Sequence, residues 1–255
     1  MRVAALSILL TILFGAHFSE GAGKKISERG NKHNFSYQNT SANYRALPTV
    51  EIPEYSRSNQ ICVFCHTPHK SSGEGPLWNR KASSVSFFKH YSSPTLAIDD
   101  PAVRGASEYG QPNGSTRLCL SCHDGVTALG AVFATPIDPY NQYPIHFLDV
   151  KTGISGPDVH LPYETYSSHH PVSFKYNATV RNILTSPPYN KTEYWYSPAN
   201  GVKLDRYERM QCTTCHDPHQ DKSDSPSSLT PFWVSKTYAE VCRSCHNLVT
   251  PPPLP

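Results

Sequence analysis

The sequence predicts a fold with little regular secondary structure, made of short helices and a few short strands around a core that side chains alone do not fill. Of 255 residues, 23 are proline and only 38% are hydrophobic, a mixture poor in long periodic segments. The chain has eight cysteines. All of them lie in four copies of the pentapeptide C-x-x-C-H, namely Cys62–His66, Cys119–His123, Cys212–His216 and Cys242–His246.

These four copies, called here the first to fourth motifs, have the attachment signature of c-type haem. Cysteines three residues apart on a helical turn face the same way, so both thiols can add to the vinyl groups on one edge of a haem. The next residue can then bind the iron. The sequence predicts four covalent haems, with attachment through Cys62, Cys65, Cys119, Cys122, Cys212, Cys215, Cys242 and Cys245 and proximal ligands His66, His123, His216 and His246.

Zinc knuckles and a disulfide framework are the alternative interpretations of these cysteines. A zinc site has no need of a histidine after every second cysteine. A disulfide framework explains neither the fixed spacing nor the four histidines. Because each haem is a large apolar plate, we expect the core of the molecule to be mostly haem.

The N-terminus predicts export of the protein. Met1 and Arg2 precede an apolar run from Val3 to Phe14, which is short for a membrane span and typical of a cleaved signal peptide. We place the signal at residues 1–21; an uncleaved anchor is the alternative. The sequence shows no second apolar segment, so we expect no membrane span in the mature chain. An extracellular or periplasmic location is expected.

The formal charge of +3 describes the chain without haem, and haem propionates would offset it. The sequence has no dense run of lysine and arginine, so nucleic acid is not an expected partner. The expected partners are redox proteins.

Residues 22–255 are predicted to form one tetrahaem domain with an internal duplication, 58–130 and 206–247, joined by a Tyr- and Pro-rich connection, 131–205. The first and third motifs continue with proline and histidine, as CVFCHTPH and CTTCHDPH, and are called here the long motifs. Each is followed by a motif without that extension.

Local patterns predict the ends of several elements. Ser115 is expected to begin a helix that runs through His123 and stops at Gly125, while Thr237 and Glu240 have the spacing of a capping box. The prolines of the long motifs, Pro68 and Pro218, should end any helix just after the motif histidine. Alternation predicts a strand at 172–176, and residues 251–255 read as an extended tail.

Histidine and methionine counts predict two histidines on every iron. The chain has thirteen histidines but two methionines; Met1 leaves with the signal and Met210 lies on the proximal side of its own motif. Methionine ligation is therefore disfavoured.

Candidate distal ligands come from the remaining histidines. His69 and His219 lie three residues after a motif histidine, so each can reach a neighbouring haem but not the far side of its own. His170 begins the predicted strand and precedes Pro171, with His169 as its rival. His33 lies in a polar arm, where a lone histidine is commonly solvated. His90, His146 and His160 are interpreted as surface or packing residues.

The sequence resembles the multihaem cytochromes c with a doubled CxxCH motif. The resemblance is carried by KHNFS at 32–36, ICVFCHTPH at 61–69, LWNR at 77–80, RLCLSCHDG at 117–125, HHPVSF at 169–174 and MQCTTCHDPH at 210–219. Within that family it looks like the tetrahaem cytochromes of the OmcE type, which polymerise into extracellular conductive filaments. This chain departs from them in its Tyr/Pro insert, 140–200, and in the doubled His169-His170.

The resemblance implies that His33, His69, His170 and His219 are the distal ligands. It also implies a homopolymer in which one distal ligand, expected to be the N-terminal one, is shared across the subunit interface. Electron transfer is the leading functional hypothesis, with a periplasmic monomeric carrier as its alternative. A multihaem reductase is a second class and needs an open iron; a structural or sensing haem protein is a third.

Overall fold

The structure is a computed structural model that describes residues 24–36, 38–39, 60–73, 75, 77–83, 88, 91, 96–124, 132, 170–192, 198–222 and 232–247. The predicted signal, the C-terminal tail, Gly125, His90, His146, His160 and His169 lie outside these residues.

Short helices dominate the described residues, in agreement with the low regular secondary structure that the sequence predicts. Two 3-10 turns, Cys62–Phe64 and Ala97–Asp99, come first. The remaining elements in chain order are α1 (Pro101–Ser107), α2 (Gly114–His123), β1 (Phe174–Lys175), α3 (Ala178–Thr185), β2 (Arg209–Met210), α4 (Cys212–Cys215) and α5 (Tyr238–Arg243).

The two strands form an antiparallel pair that leads into the third motif. Phe174 lies opposite Met210 and Lys175 opposite Arg209, and further bonds run from the Ser173 amide to the Met210 carbonyl at 2.7 Å and from the Tyr176 amide to the Glu208 carbonyl at 2.8 Å. The strand predicted at 172–176 is confirmed with a shorter span. Because a single residue, Gln211, separates β2 from α4, this pairing fixes where the third motif starts.

An apolar protein core lies between α1, β1, β2 and α3. Val103 of α1 and Val180 of α3 are fully buried, and burial of such side chains stabilises the fold by roughly 1.5–3 kcal/mol each. Cys245 is the cysteine that joins this cluster among the described residues. Protein side chains from several elements therefore pack together in this part of the molecule. The cluster comprises Ile98, Val103, Tyr109, Phe174, Tyr176, Val180, Leu184, Met210 and Cys245.

Capping explains three of the helix starts. Asp100 accepts from the Ala102 amide at the start of α1, and Asn177 accepts from the Val180 amide at the start of α3. The capping box predicted for Thr237 and Glu240 is confirmed at the start of α5. These side chains satisfy amide groups that the first helical turn leaves without a partner.

The predicted start of α2 is wrong. The helix begins at Gly114, and Asn113 occupies the N-cap position without a side-chain cap. The Ser115 hydroxyl instead lies 2.5 Å from the Thr213 hydroxyl, and the Thr116 amide donates to Oε1 of Gln211 at 3.1 Å. A side chain from a distant segment thus caps this helix, which local sequence cannot reveal.

Helical structure ends within both long motifs, but before the motif histidine rather than just after it as the prolines predict. The 3-10 turn of the first motif ends at Phe64 and α4 of the third motif ends at Cys215. Within the described residues, none of the helices is long and apolar enough to cross a membrane.

Candidate haem-binding sites

The two long motifs have the same local backbone. The motif histidine of each forms a β-bridge with a tryptophan further along the chain, His66 with Trp78 and His216 with Trp233. The backbone amide of the residue after the tryptophan donates to the carbonyl of the second motif cysteine. The distances are 2.8 Å from Asn79 to Cys65 and 3.0 Å from Val234 to Cys215. The loop after each motif therefore folds back and holds the motif from one side.

Both loops turn at an unusual backbone position. Leu77 has φ 53° and Phe232 has φ 69°, in the left-handed region that residues other than glycine seldom occupy. Each precedes the bridging tryptophan, within the tripeptides Pro-Leu-Trp and Pro-Phe-Trp. Sequence reasoning did not use this second repeat, which marks where the chain returns to each long motif.

The first motif faces a histidine of the other long motif. The imidazole centroids of His66 and His219 are 6.3 Å apart, with 21° between the ring planes. His219 follows His216 by three residues, as the sequence analysis requires of a histidine that serves a haem other than its own. The structure thus brings together a proximal candidate from the first half and a distal candidate from the second.

The second and fourth motifs face histidines in a similar way. The centroids of His123 and His33 are 6.1 Å apart, and those of His246 and His170 are 6.2 Å apart. His33 comes from the N-terminal loop, and His170 from the residues just before β1.

These separations fit an iron bound between two imidazoles. A metal–imidazole nitrogen bond is about 2.0–2.1 Å long, and the centre of a five-membered ring with bonds of about 1.33 Å lies about 1.1 Å from each ring atom. Two such ligands on opposite sides of one metal would place their centroids about 6.3 Å apart. The three pairs span 6.1–6.3 Å, so the residues present fit the axial positions of haem.

Proline carbonyls set the orientation of two distal candidates. Nδ1 of His33 lies 3.0 Å from the Pro218 carbonyl, and Nδ1 of His170 lies 2.7 Å from the Pro171 carbonyl. Because a carbonyl can only accept, Nδ1 carries the proton in each ring. Nε2 is then left with a lone pair, the form that binds a metal.

Burial keeps the second pair neutral. Burial, with smaller contributions from His33 and His216, lowers the pKa of His123 to about 4. Burial also lowers the pKa of His33, against the hydrogen bond to Pro218, which raises it. Neutral imidazole is the state that binds a metal without first losing a proton.

The surroundings of His33 differ from the loose arm that the sequence predicts, while its sharing with a neighbouring subunit stays a prediction. His33 is half-buried, its ring stacks on Phe232 at a centroid distance of 4.3 Å, and it faces His123 of its own chain. The residues around it form a compact loop that docks on the second half through the Ile26 amide, which donates to the His219 carbonyl at 2.7 Å.

His69 is the remaining distal candidate, and its side chain is exposed. The hydroxyl of Thr67 donates to the carbonyl of His69 at 2.7 Å, which orders its backbone. His216, the proximal candidate of the third motif, stacks on Trp233 with ring centroids 4.7 Å apart.

The cysteines of successive motifs lie close enough to influence one another. Burial raises the pKa of Cys65 to about 12, with a further contribution from Cys122 of the second motif. Burial likewise raises the pKa of Cys215 to about 12, with contributions from Cys245 and Cys242 of the fourth motif. The first motif thus adjoins the second, and the third adjoins the fourth.

The second and third motifs meet at the junction between the halves. The thiol of Cys119 donates a hydrogen bond to the sulfur of Cys212, which raises the pKa of Cys119 and lowers that of Cys212. Both cysteines lie where α2 packs on α4, and the Cys212 amide donates to the Thr116 hydroxyl at 3.1 Å. Attachment residues of the second and third motifs are therefore in direct contact.

A buried glutamine holds this junction. Gln211 is 1% exposed, and its amide nitrogen donates to Asn113 at 2.8 Å and to Asp205 at 3.2 Å. Its oxygen accepts from the Thr116 amide. Since Asn113 and Thr116 belong to the first half and Gln211 to the second, this side chain links the two halves.

Comparison with known proteins supports haem attachment in the second half of the chain. Residues 206–249 match the family model of the doubled CXXCH motif, a stretch that contains the third and fourth motifs. No curated protein matches the chain at a significant level. The family match supports a multihaem c-type cytochrome, a class that binds haem c covalently and transfers electrons.

Proposed function

We propose that this protein transfers electrons through four covalently attached haems, each closed by two histidines. The observation that carries the proposal is the spacing of three histidine pairs, His66 with His219, His123 with His33 and His246 with His170. Each pair combines one motif histidine with one histidine from elsewhere in the chain. When bound, haem supplies reversible one-electron oxidation and reduction of its iron.

The protein's own residues would tether, ligate and enclose the haems. The motif cysteines would form the thioether bonds to haem, and each motif histidine would bind an iron. We assign His219, His33 and His170 to the second axial position of the first, second and fourth sites. Iron held on both sides offers no open position to a substrate, which favours electron transfer over substrate reduction.

The order of the motifs in space supports conduction along the chain. Cys122 contributes to the raised pKa of Cys65, and Cys245 to that of Cys215, so each pair of thiols lies within electrostatic range. The contact between Cys119 and Cys212 joins the middle two. We propose that the sites are arranged in sequence order, so that an electron entering at one end has a neighbouring site at every step.

A homopolymer remains a proposal, with His69 in place of His33 as the shared histidine. His33 is engaged with its own chain, whereas His69 is exposed on the long motif of the first half. A histidine presented at the surface can serve a second copy of the chain. Such a head-to-tail contact propagates into a filament when it does not close into a ring. A periplasmic monomeric carrier is the alternative.

The test of the function is the haem count together with the spin state of iron. Pyridine haemochrome and intact mass are expected to give four haems per chain, and electron paramagnetic resonance of the oxidised protein is expected to show low-spin iron. Carbon monoxide should leave the reduced protein unchanged. A wild-type chain with a persistent high-spin iron that binds carbon monoxide would instead favour the reductase.

A further inference from the structure

Three buried asparagines organise the N-terminal loop, defined here as residues 24–36 with 38–39. Asn31, Asn34 and Asn39 are 2%, 3% and 0% exposed. An amide buried without partners costs free energy, and each of these side chains instead bonds to groups of the same loop. Such a cluster gives a short segment without regular secondary structure a defined shape.

Asn39 closes the loop around the residue that faces the second motif. Its Nδ2 donates to the Asn31 carbonyl at 2.8 Å and to the Asn34 carbonyl at 2.7 Å. Its Oδ1 accepts from the Gly30 amide at 2.7 Å. The two carbonyls flank the dipeptide Lys32-His33, so Asn39 fixes the backbone on both sides of His33.

Asn31 acts on His33 directly. Its Oδ1 accepts from the His33 amide at 2.9 Å, and its Nδ2 donates to the Lys24 carbonyl at 2.9 Å. The same Lys24 carbonyl also accepts from the Asp221 amide at 3.1 Å. The asparagines therefore connect His33 to the segment that follows the third motif.

The same segment fixes the rotation of the His33 ring. The Pro218 carbonyl accepts from Nδ1, and Phe232 stacks on the ring with 13° between the planes. With the backbone held by Asn39 and Asn31 and the ring held by Pro218 and Phe232, Nε2 is directed before any metal is bound.

We propose that Asn39, together with Asn31, is a positioning residue that presents His33 to the iron of the second site. The proposal rests on the function proposed above, in which His33 and His123 ligate one haem. A free arm would lose conformational entropy each time its histidine bound, whereas a loop already shaped by its asparagines has met this cost on folding. The asparagine cluster thus keeps the second iron closed.

The test compares three substitutions in the full, haem-loaded chain. Asn39→Asp keeps the shape and the acceptor but replaces the two donated hydrogens with an oxygen that faces two carbonyls. His33→Ala removes the ligand itself. Asn177→Ala is the matched control, because Asn177 also accepts from a backbone amide, at the start of α3 and away from His33.

Asn39→Asp is expected to retain four haems while one iron becomes high-spin and binds carbon monoxide. Added imidazole should restore the low-spin signal, since the second site then lacks only a ligand. His33→Ala should give the same three signatures, and Asn177→Ala should give none of them. If added imidazole restores low-spin iron, the variant has a misplaced histidine. If it does not, the haem site itself is damaged.

Low-spin iron that resists carbon monoxide in Asn39→Asp would overturn the inference, provided that His33→Ala shows a high-spin iron. Low-spin iron in His33→Ala would instead overturn the ligand pair of the proposed function. If Asn39→Asp does not accumulate, Asn31→Ala decides, because it removes both the acceptor for the His33 amide and the bond to the Lys24 carbonyl. Carbon monoxide binding to one iron of that variant supports positioning, and resistance overturns it.

Discussion

His66 and His219 face each other with ring centroids 6.3 Å apart although they belong to different halves of the chain. Nearby, the Pro218 carbonyl holds His33, which faces the second motif. The dipeptide Pro218-His219 therefore serves both motifs of the first half. The second half supplies one candidate ligand and orients another.

Replacing His219 tests the first of these relationships. His219→Ala is expected to retain four haems and to convert one iron to a high-spin state that binds carbon monoxide, because the far side of the first site loses its ligand. His219→Met is the matched variant. It should keep iron low-spin and raise one midpoint potential, since thioether ligation favours the reduced state. Unchanged potentials and spectra in both variants would contradict the pairing.

Replacing Gln211 tests the junction between the halves. Gln211→Leu removes three hydrogen bonds of a buried side chain and leaves the Thr116 amide without its acceptor. We expect the free energy of unfolding to fall by about 3 kcal/mol in urea titrations. Gln111→Leu is the control, because Gln111 is exposed and bonds to the backbone of Phe88. An equal loss in both variants would argue against a special role for Gln211.

Acid should weaken the same junction through Asp205. Burial alone would raise the pKa of Asp205, but hydrogen bonds from the Arg209 backbone and side chain and from the Tyr207 amide lower it overall. A lowered folded-state pKa gives stability that is present above the unfolded value and is lost as the pH falls through the folded value. Unfolding free energy should therefore decrease on acidification below about pH 4.

Asp205→Asn provides the comparison for this pH dependence. The amide cannot titrate, so the difference in stability between the wild type and the variant should be largest near neutral pH and should shrink in acid. Urea unfolding at about pH 7 and at about pH 3 measures it. A difference that stays constant across this range would show that the charge of Asp205 contributes nothing.

His69 should distinguish a filament from a monomer. If His69 serves a second copy of the chain, His69→Ala should abolish polymer in electron micrographs of the extracellular fraction and leave one iron high-spin. His33→Ala should change the spin state of the second site without preventing assembly, because His33 faces its own chain. A wild-type protein that is strictly monomeric and fully low-spin would contradict the shared ligand.

Local chemistry made part of the structure predictable. The capping box of α5 requires Thr237 and Glu240 at a fixed spacing, and Pro68 and Pro218 indicate that helical structure ends near the motif histidine of each long motif. The strand at Phe174 was visible as an alternation of apolar side chains. Each of these features depends on residues that are neighbours in sequence, so spacing alone carries the information.

Contacts between distant segments made the rest unpredictable. Ser115 looked like a helix cap, but a side chain 96 positions from Ser115, Gln211, meets the first turn of α2 instead. The sequence around His33 is polar, which is typical of a solvated segment. The repeated asparagines are the feature of that sequence that is related to its burial. Those residues become a signal only once the loop is seen to close on Asn39.

The shared use of Pro218 and His219 has a consequence for how the protein is made. Ribosomes synthesise a chain from its N-terminus, so the cysteines and histidines of the first two motifs exist before this dipeptide does. A nascent chain that stops before residue 206 has both attachment motifs of the first half but lacks the histidine that faces one and the carbonyl that orients the ligand of the other. If these histidines ligate haem as proposed, the first two sites can be completed only after the second half has been translated.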